Sequence, residues 1–90
     1  MNRKELALSI ARVSTLEGDF LLRSGRRSTQ YFDKYRFESD PTLLRAIAEQ
    51  LADLMPTDID TLAGIELGGV PLATALSIHT GVPTLFIRKQ

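Results

Sequence analysis

The sequence predicts an α/β fold built around a parallel sheet. In the second half of the chain a strand-like run (residues 61–67), a glycine turn, a helical run (residues 72–80) and another strand-like run (residues 83–88) follow in the order of a βαβ unit. A periodic apolar pattern before this unit predicts a further helix. The 90 residues are 43% hydrophobic and 24% charged, which is the composition of one small globular domain.

The N-terminal residues predict an amphipathic helix. Asn2 and Glu5 have the spacing of a capping box, in which the Asn side chain accepts a hydrogen bond from a free helix N–H and the Glu side chain reaches back. Apolar side chains then recur on one helical face, so we expect the helix to cover residues 3–16. We expect Gly18 to end this helix in a left-handed conformation.

Two short strands are expected next. Residues 19–24 and residues 28–35 are rich in aromatic and branched side chains, and Gly25 and basic residues separate them. This arrangement is typical of a β-hairpin with a glycine-containing turn. The first helix and the hairpin form an N-terminal segment, residues 1–39, which we distinguish from the α/β core in residues 40–90.

The α/β core begins with the most regular pattern in the sequence. Asp40 is a helix-capping residue, and Pro41 is tolerated in the first helical turn, where its missing N–H forms no hydrogen bond. Apolar residues then recur at helical spacing until Pro56, which predicts a helix. Both strands of the βαβ unit are mostly apolar and are expected to be buried. Because a chain ending on such a strand leaves a sheet edge open, we infer an N-terminal piece of a longer protein.

Composition excludes several classes of function. The chain has no Cys and one His, so disulfides, thiolate chemistry and a His-rich zinc site are not expected. The 11 basic and 11 acidic residues balance, which gives no overall field for nucleic acid or acidic membranes. No apolar run reaches the roughly 20 residues of a membrane span, and the first residues lack a secretory signal. We expect a cytoplasmic protein without a metal site of its own, whose partners include neither nucleic acid nor a membrane.

A glycine turn lies where a parallel sheet binds its ligands. Glu66, Leu67, Gly68 and Gly69, here called the 66–69 loop, connect the first strand of the βαβ unit to its helix. Ligands of such sheets lie at the carboxyl ends of the strands, and N–H groups at a helix N-terminus favour an anion such as pyrophosphate. The loop has neither the P-loop pattern nor the dinucleotide-binding glycine pattern. The alternative is a tight turn that binds no ligand.

Other candidate residues are basic or aromatic. Arg23 lies in a basic turn suited to phosphate or carboxylate, although the same turn is also typical of a solvated hairpin. Tyr31 and Phe32 are adjacent in a strand and point to opposite faces, so one ring could stack on a flat heterocycle or simply cover the core. Arg88 and Lys89 follow the last strand at the same sheet edge as the 66–69 loop, where they could hold a polyanion or form a charged tail.

The segments together resemble the orotate phosphoribosyltransferase family, a branch of the type I phosphoribosyltransferases, from about residue 16 onward. The matching motifs are Phe20-Leu21-Leu22-Arg23-Ser24-Gly25-Arg26 with Ser28 and Tyr31-Phe32, the helix after Asp40-Pro41, Ala63-Gly64-Ile65-Glu66-Leu67-Gly68-Gly69-Val70-Pro71-Leu72-Ala73-Thr74, and Phe86-Ile87-Arg88-Lys89. Their order and spacing make the match specific. The resemblance implies the N-terminal part of a phosphoribosyltransferase fold, a Rossmann-like parallel sheet with a small hood segment over the orotate.

The resemblance also implies an activity. Family members transfer the 5-phosphoribosyl group from phosphoribosyl pyrophosphate to orotate, giving orotidine 5′-monophosphate and pyrophosphate in the synthesis of UMP. They are homodimers, and Mg²⁺ takes part through the pyrophosphate substrate. The acidic segment that cradles the ribose 5-phosphate in phosphoribosyltransferases is not in this sequence, so we expect the chain alone to be inactive. The alternative is a transcriptional regulator that keeps this fold to sense phosphoribosyl pyrophosphate.

By position, the resemblance gives roles to the candidate residues. Arg23, Arg88 and Lys89 would bind phosphoribosyl pyrophosphate, the last two at the start of a mobile catalytic loop that reaches the neighbouring subunit. Tyr31 and Phe32 would border the orotate ring. No residue of the chain receives a certain catalytic role.

The same resemblance makes the 66–69 loop the pyrophosphate loop, where relatives often have a cis peptide. Two positions depart from the family. Many relatives have Lys where Arg23 stands, which keeps the charge and changes its geometry. Others have Lys where Gly68 stands, so this loop is expected to offer backbone groups only.

Overall fold

The α/β fold class is confirmed in the computed structural model, which describes residues Met1–Gln90. The chain contains one antiparallel and one parallel sheet, each of two strands. No helix is long and apolar enough to cross a bilayer. The elements in chain order are α1 (Arg3–Ser14), β1 (Thr15–Leu21), β2 (Arg27–Phe32), α2 (Lys34–Glu38), α3 (Pro41–Leu54), β3 (Leu62–Ile65), α4 (Val70–Thr80) and β4 (Thr84–Ile87).

Helix α1 begins at the predicted capping box and ends earlier than expected. Glu5 N–H donates to Asn2 Oδ1 over 2.8 Å, and Asn2 N–H donates to Glu5 Oε1 over 3.3 Å. The predicted helix end at Gly18 is wrong, because the backbone is already extended at Thr15 and Gly18 lies within β1. A Cβ on Gly18 would lie 3.2 Å from the Phe20 ring, so glycine leaves room for that ring.

Strands β1 and β2 form the predicted antiparallel hairpin with shifted bounds. The pairing register shifts between Glu17 and Phe20, which marks an irregularity in β1. Gly25 has a φ of +87° in the connecting turn, a conformation that favours glycine. The expected strands at residues 19–24 and 28–35 are displaced because β1 follows α1 without a loop and a helix interrupts the second run.

That interrupting helix, α2, was not predicted. The Asp33 side chain accepts a hydrogen bond from Tyr35 N–H over 3.1 Å and caps the helix at its N-terminus. The aromatic residues of this segment favoured a strand, and the cap overrides that preference. As a result, Phe37 and Glu38 become buried residues.

Helix α3 is capped as predicted and packs in the buried apolar cluster. The Asp40 side chain accepts hydrogen bonds from Thr42 N–H over 3.0 Å and from Leu43 N–H over 3.2 Å. Leu6, Phe37 and Leu43 bring α1, α2 and α3 together in one buried cluster. Helix packing therefore connects the N-terminal segment to the core.

Elements β3, α4 and β4 form the predicted βαβ unit. The two strands pair in parallel, with Ile65 opposite Ile87. Helix α4 begins directly after the 66–69 loop and ends at Gly81, which has a φ of +79°. Both strands are shorter than predicted, since the loop takes the last residues assigned to the first strand.

The expectation that both parallel strands are buried is wrong for this chain. Ile65 is 65% exposed and Leu85 is 63% exposed. Helix α4 packs closely on the sheet at Gly64, where a Cβ would lie 2.8 Å from Ala73 Cβ. The other strand side chains stay at the surface because α4 is the helix that packs on β3 and β4.

Candidate functional site

The 66–69 loop joins β3 to α4 at the carboxyl edge of the parallel sheet. The peptide bond between Glu66 and Leu67 is cis, as the family resemblance implies. Gly69 occupies the N-cap position of α4. A Cβ at Gly69 would lie 2.8 Å from Ile65 N and 3.0 Å from Ile65 O, so this position admits only glycine. The close approach lets the loop fold tightly over the end of β3.

Backbone hydrogen bonds hold the loop and leave two of its N–H groups unpaired. Glu66 N–H donates to the last carbonyl of β4 over 2.9 Å, and Gly69 N–H donates to the last carbonyl of β3 over 2.8 Å. The N–H groups of Leu67 and Gly68 donate to no carbonyl of the chain. They lie just before α4, whose N-terminus favours negative charge. The loop can therefore bind an anion through its backbone.

The two cations after β4 lie beside this loop, as predicted. Lys89 N–H donates to Glu66 Oε1 over 2.6 Å, and Arg88 Nε lies 3.9 Å from Glu66 Oε2. The Arg88 side chain is 86% exposed, so its ion pair is weak and the guanidinium can meet another anion. Glu66 thus ties the residues that follow β4 to the loop.

A third cation reaches the loop from α2, and the sequence analysis did not single it out. Lys34 Nζ donates to Gly68 O over 2.6 Å and lies 3.3 Å from Glu38 Oε1. Gly68 has no side chain to offer, but the Lys34 ammonium group lies against its carbonyl. Residues four positions apart, such as Lys34 and Glu38, are neighbours on a helix. Because a strand was predicted at Lys34, the sequence analysis did not indicate this ion pair.

The hairpin residues do not touch the loop cations. The Tyr31 ring packs against Phe20 with 5.6 Å between centroids, and the Phe32 ring packs against Phe37 with 6.1 Å between centroids. Tyr31 and Phe32 are each about half exposed, which leaves ring surface available to a planar ligand. Arg23 is exposed after β1 and forms no ion pair or hydrogen bond through its side chain.

The chemistry available at the loop is electrostatic. Nowhere in the chain do three His, Asp or Glu side chains come close enough together to hold a metal ion. The loop contains two unpaired backbone N–H groups, and Lys34, Arg88 and Lys89 contact it. Such donors bind phosphate or pyrophosphate oxygens and stabilise charge that develops on them.

Comparison with known proteins finds relatives along nearly the whole chain. No protein-family model matches it. The orotate phosphoribosyltransferase of Nocardioides sp. is 52% identical over 85 residues, which cover 94% of this chain and 48% of that protein. The orotate phosphoribosyltransferase of Methanopyrus kandleri is 43% identical over 91 residues, which cover 100% of this chain and 49% of that protein.

A solved structure has the same chain path. The crystal structure of Mycobacterium tuberculosis orotate phosphoribosyltransferase in complex with inorganic phosphate matches with a TM-score of 0.85 at 31% identity. The match covers 97% of this chain and 54% of that one, so the chain spans about half the length of its relatives. Sequence and structure lead to the same finding: over nearly its whole length, the chain is similar to about half of an orotate phosphoribosyltransferase.

Proposed function

We propose that the protein carrying this chain transfers the 5-phosphoribosyl group from phosphoribosyl pyrophosphate to orotate. The products are orotidine 5′-monophosphate and pyrophosphate, in the de novo synthesis of UMP. The observation that carries the proposal is the 66–69 loop, with two unpaired N–H groups and with Arg88 and Lys89 beside it. The names of the relatives point to the same reaction.

In this proposal the loop acts on the leaving group. The bond from the ribose anomeric carbon to a pyrophosphate oxygen breaks, and a bond from that carbon to a ring nitrogen of orotate forms. That nitrogen gives up its proton to the released pyrophosphate or to solvent, and negative charge accumulates on pyrophosphate. Donors already oriented toward this charge stabilise the transition state more than the ground state. The N–H groups of Leu67 and Gly68 bind the departing oxygens, and Arg88 and Lys89 neutralise them.

The hairpin serves the other part of the reaction. Tyr31 and Phe32 border the orotate ring, because half-exposed aromatic rings can contact a planar heterocycle. Arg23 binds phosphoribosyl pyrophosphate through a guanidinium that has no partner within the chain. The family resemblance and the exposure of the three side chains support these proposed roles.

The proposal also includes the metal ion, the oligomeric state and the cellular compartment. Mg²⁺ would enter with the pyrophosphate group of the substrate and neutralise part of its charge. The active form is a homodimer in which the segment after Lys89 reaches the neighbouring subunit's site. The protein is cytoplasmic and binds neither nucleic acid nor a membrane.

Activity should belong to the intact protein and not to the 90-residue chain alone. The chain spans about half the length of its relatives and contributes only part of the proposed site. Both proteins would be incubated with orotate, phosphoribosyl pyrophosphate and Mg²⁺, and orotidine 5′-monophosphate measured by chromatography. We expect product from the intact protein only. Turnover by the isolated chain would contradict the proposal, as would an intact protein that binds neither substrate.

A DNA-binding regulator with this fold is the alternative function. The balance of 11 basic and 11 acidic residues does not favour it, and the relatives described above are named as enzymes. A gel-shift experiment at low salt separates the two functions. We expect no shift, whereas a shift that weakens as salt rises would favour the regulator.

A further inference from the structure

Lys34 occupies the space that a side chain at position 68 would fill. A Cβ built on Gly68 would lie 2.6 Å from Lys34 Nζ, and the same ammonium donates to Gly68 O over 2.6 Å. The two residues are 34 positions apart in the sequence. Their contact joins α2, which directly follows the hairpin, to the loop that opens α4.

Glu38 anchors this lysine from the interior. Its side chain is 3% exposed, and its Oε1 atom lies 3.3 Å from Lys34 Nζ. Neither carboxylate oxygen accepts a hydrogen bond within the chain. A buried carboxylate is unfavourable unless a cation neutralises it, and Lys34 is the cation that forms an ion pair with it. The pair therefore has a fixed place, unlike an exposed surface pair.

The Lys34 ammonium forms one of the two hydrogen bonds that hold one peptide unit of the loop. The peptide between Gly68 and Gly69 has its N–H bonded to Ile65 O over 2.8 Å and its C=O bonded to Lys34 Nζ over 2.6 Å. This peptide cannot rotate without breaking one of the two hydrogen bonds. The adjoining N–H groups of Leu67 and Gly68, which donate to no carbonyl of the chain, are thereby held in place.

We propose that Lys34 is a positioning residue of the 66–69 loop and holds the loop backbone in the arrangement that receives the pyrophosphate group of the substrate. The inference rests on the proposed function and adds to it a residue from outside the loop. Lys34 directs its ammonium to Gly68 O and to Glu38, and its side chain is still 37% exposed. Its charge thus stays close to an anion bound at the loop.

The test substitutes Lys34 in the intact protein and uses a second lysine as a control. Lys34→Met removes the ammonium and keeps much of the side-chain length. Lys34→Met combined with Glu38→Gln also removes the carboxylate that would otherwise be buried without a cation, so this variant folds if the single one does not. Lys4→Met is the control, because Lys4 is exposed on α1. Thermal unfolding checks that each variant is folded.

Binding of inorganic pyrophosphate is then measured by isothermal titration calorimetry. We expect the dissociation constant to rise about tenfold or more in both Lys34 variants, which is the scale of one charge-assisted hydrogen bond, and to stay unchanged in Lys4→Met. The KM for phosphoribosyl pyrophosphate should rise with it, while the KM for orotate stays within about twofold. Gly68→Ala, whose Cβ displaces the ammonium, should weaken pyrophosphate binding and add little to the effect of Lys34→Met.

Several outcomes would overturn the inference. One is unchanged pyrophosphate binding in the folded variant that combines Lys34→Met with Glu38→Gln. A second is a loss of pyrophosphate binding in Lys4→Met as large as that in the Lys34 variants. A third is a rise in the KM for orotate as large as the rise in the KM for phosphoribosyl pyrophosphate. A fourth is an unaltered protein that binds no pyrophosphate. If the Lys34 variants lose pyrophosphate but the unaltered protein makes no orotidine 5′-monophosphate, the inference holds and the proposed function fails. If the Lys34 variants turn over orotate as well as the unaltered protein does, the proposed function holds and the inference about Lys34 fails.

Discussion

Glu66 connects three parts of the candidate site. Its backbone N–H donates to the last carbonyl of β4 over 2.9 Å, its Oε1 accepts from Lys89 N–H over 2.6 Å, and its Oε2 lies 3.9 Å from Arg88 Nε. The carboxylate thus holds the backbone after β4 more firmly than it holds the arginine side chain. This difference leaves the Arg88 guanidinium available to another anion.

The Arg88→Ala substitution in the intact protein should lower kcat by about 10²-fold, because it removes a donor for leaving-group charge. The fold should not change, since the Arg88 side chain is 86% exposed. Steady-state kinetics and circular dichroism check the two expectations. Arg12→Ala, at an exposed position on α1, is the control. Unchanged kinetics in Arg88→Ala would remove this residue from the site.

Gly64 controls the packing of α4 on the parallel sheet. A Cβ at this position would lie 2.8 Å from Ala73 Cβ and 2.8 Å from Gly69 O. We expect Gly64→Ala to lower the free energy of unfolding by about 1–3 kcal/mol, the usual effect of overpacking. Urea denaturation of the intact protein measures it. The control is Ala63→Val, which adds bulk at the neighbouring exposed position, and equal stability of the two variants would contradict the account.

At the scale of elements, the capped and periodic segments were predicted best. The start of α1 and the whole of α3 follow from side-chain caps and apolar spacing, and the βαβ order follows from its glycine boundaries. Helix α2 is five residues long, which is too short to show a helical period, and its aromatic residues favour a strand. The early end of α1 was missed because Gly18 is equally suited to a helix end and to an irregular strand.

The cap of α3 provides a test at this scale. Asp40→Ala removes the acceptor of two backbone N–H groups, those of Thr42 and Leu43, and should destabilise the protein by about 1 kcal/mol. Asp40→Asn should retain most of the stability, because asparagine is also a good cap. Chemical denaturation compares both with Asp58→Ala in an exposed loop. The cap would have no energetic role if Asp40→Ala and Asp58→Ala unfold at the same denaturant concentration.

At the scale of the whole molecule, part of the site follows from topology alone. Parallel strands bring their carboxyl ends to one edge, so the 66–69 loop and the Arg88-Lys89 pair could be placed together from the sequence. Lys34 could not, because its contact with Gly68 depends on how α2 packs and spans 34 positions. The roles proposed for Arg23, Tyr31 and Phe32 rest on the family resemblance, and the structure adds their exposure and the packing of the two rings.

The parallel sheet of this chain leaves apolar side chains of both strands exposed. Ile65 and Leu85 are each more than 60% exposed on the two strands that carry the candidate site. Apolar side chains in strands of this kind are ordinarily covered on both faces of a parallel sheet. The chain spans about half the length of its relatives, and the proposed activity is assigned to the intact protein.

The proposed reaction is tested most directly by a product analysis of the intact protein supplied with isotope-labelled orotate, phosphoribosyl pyrophosphate and Mg²⁺. We expect labelled orotidine 5′-monophosphate and pyrophosphate to appear in equal amounts, because pyrophosphate leaves the ribose carbon as the bond from that carbon to orotate forms. Release of pyrophosphate without labelled nucleotide, or no reaction of orotate at all, would contradict this expectation.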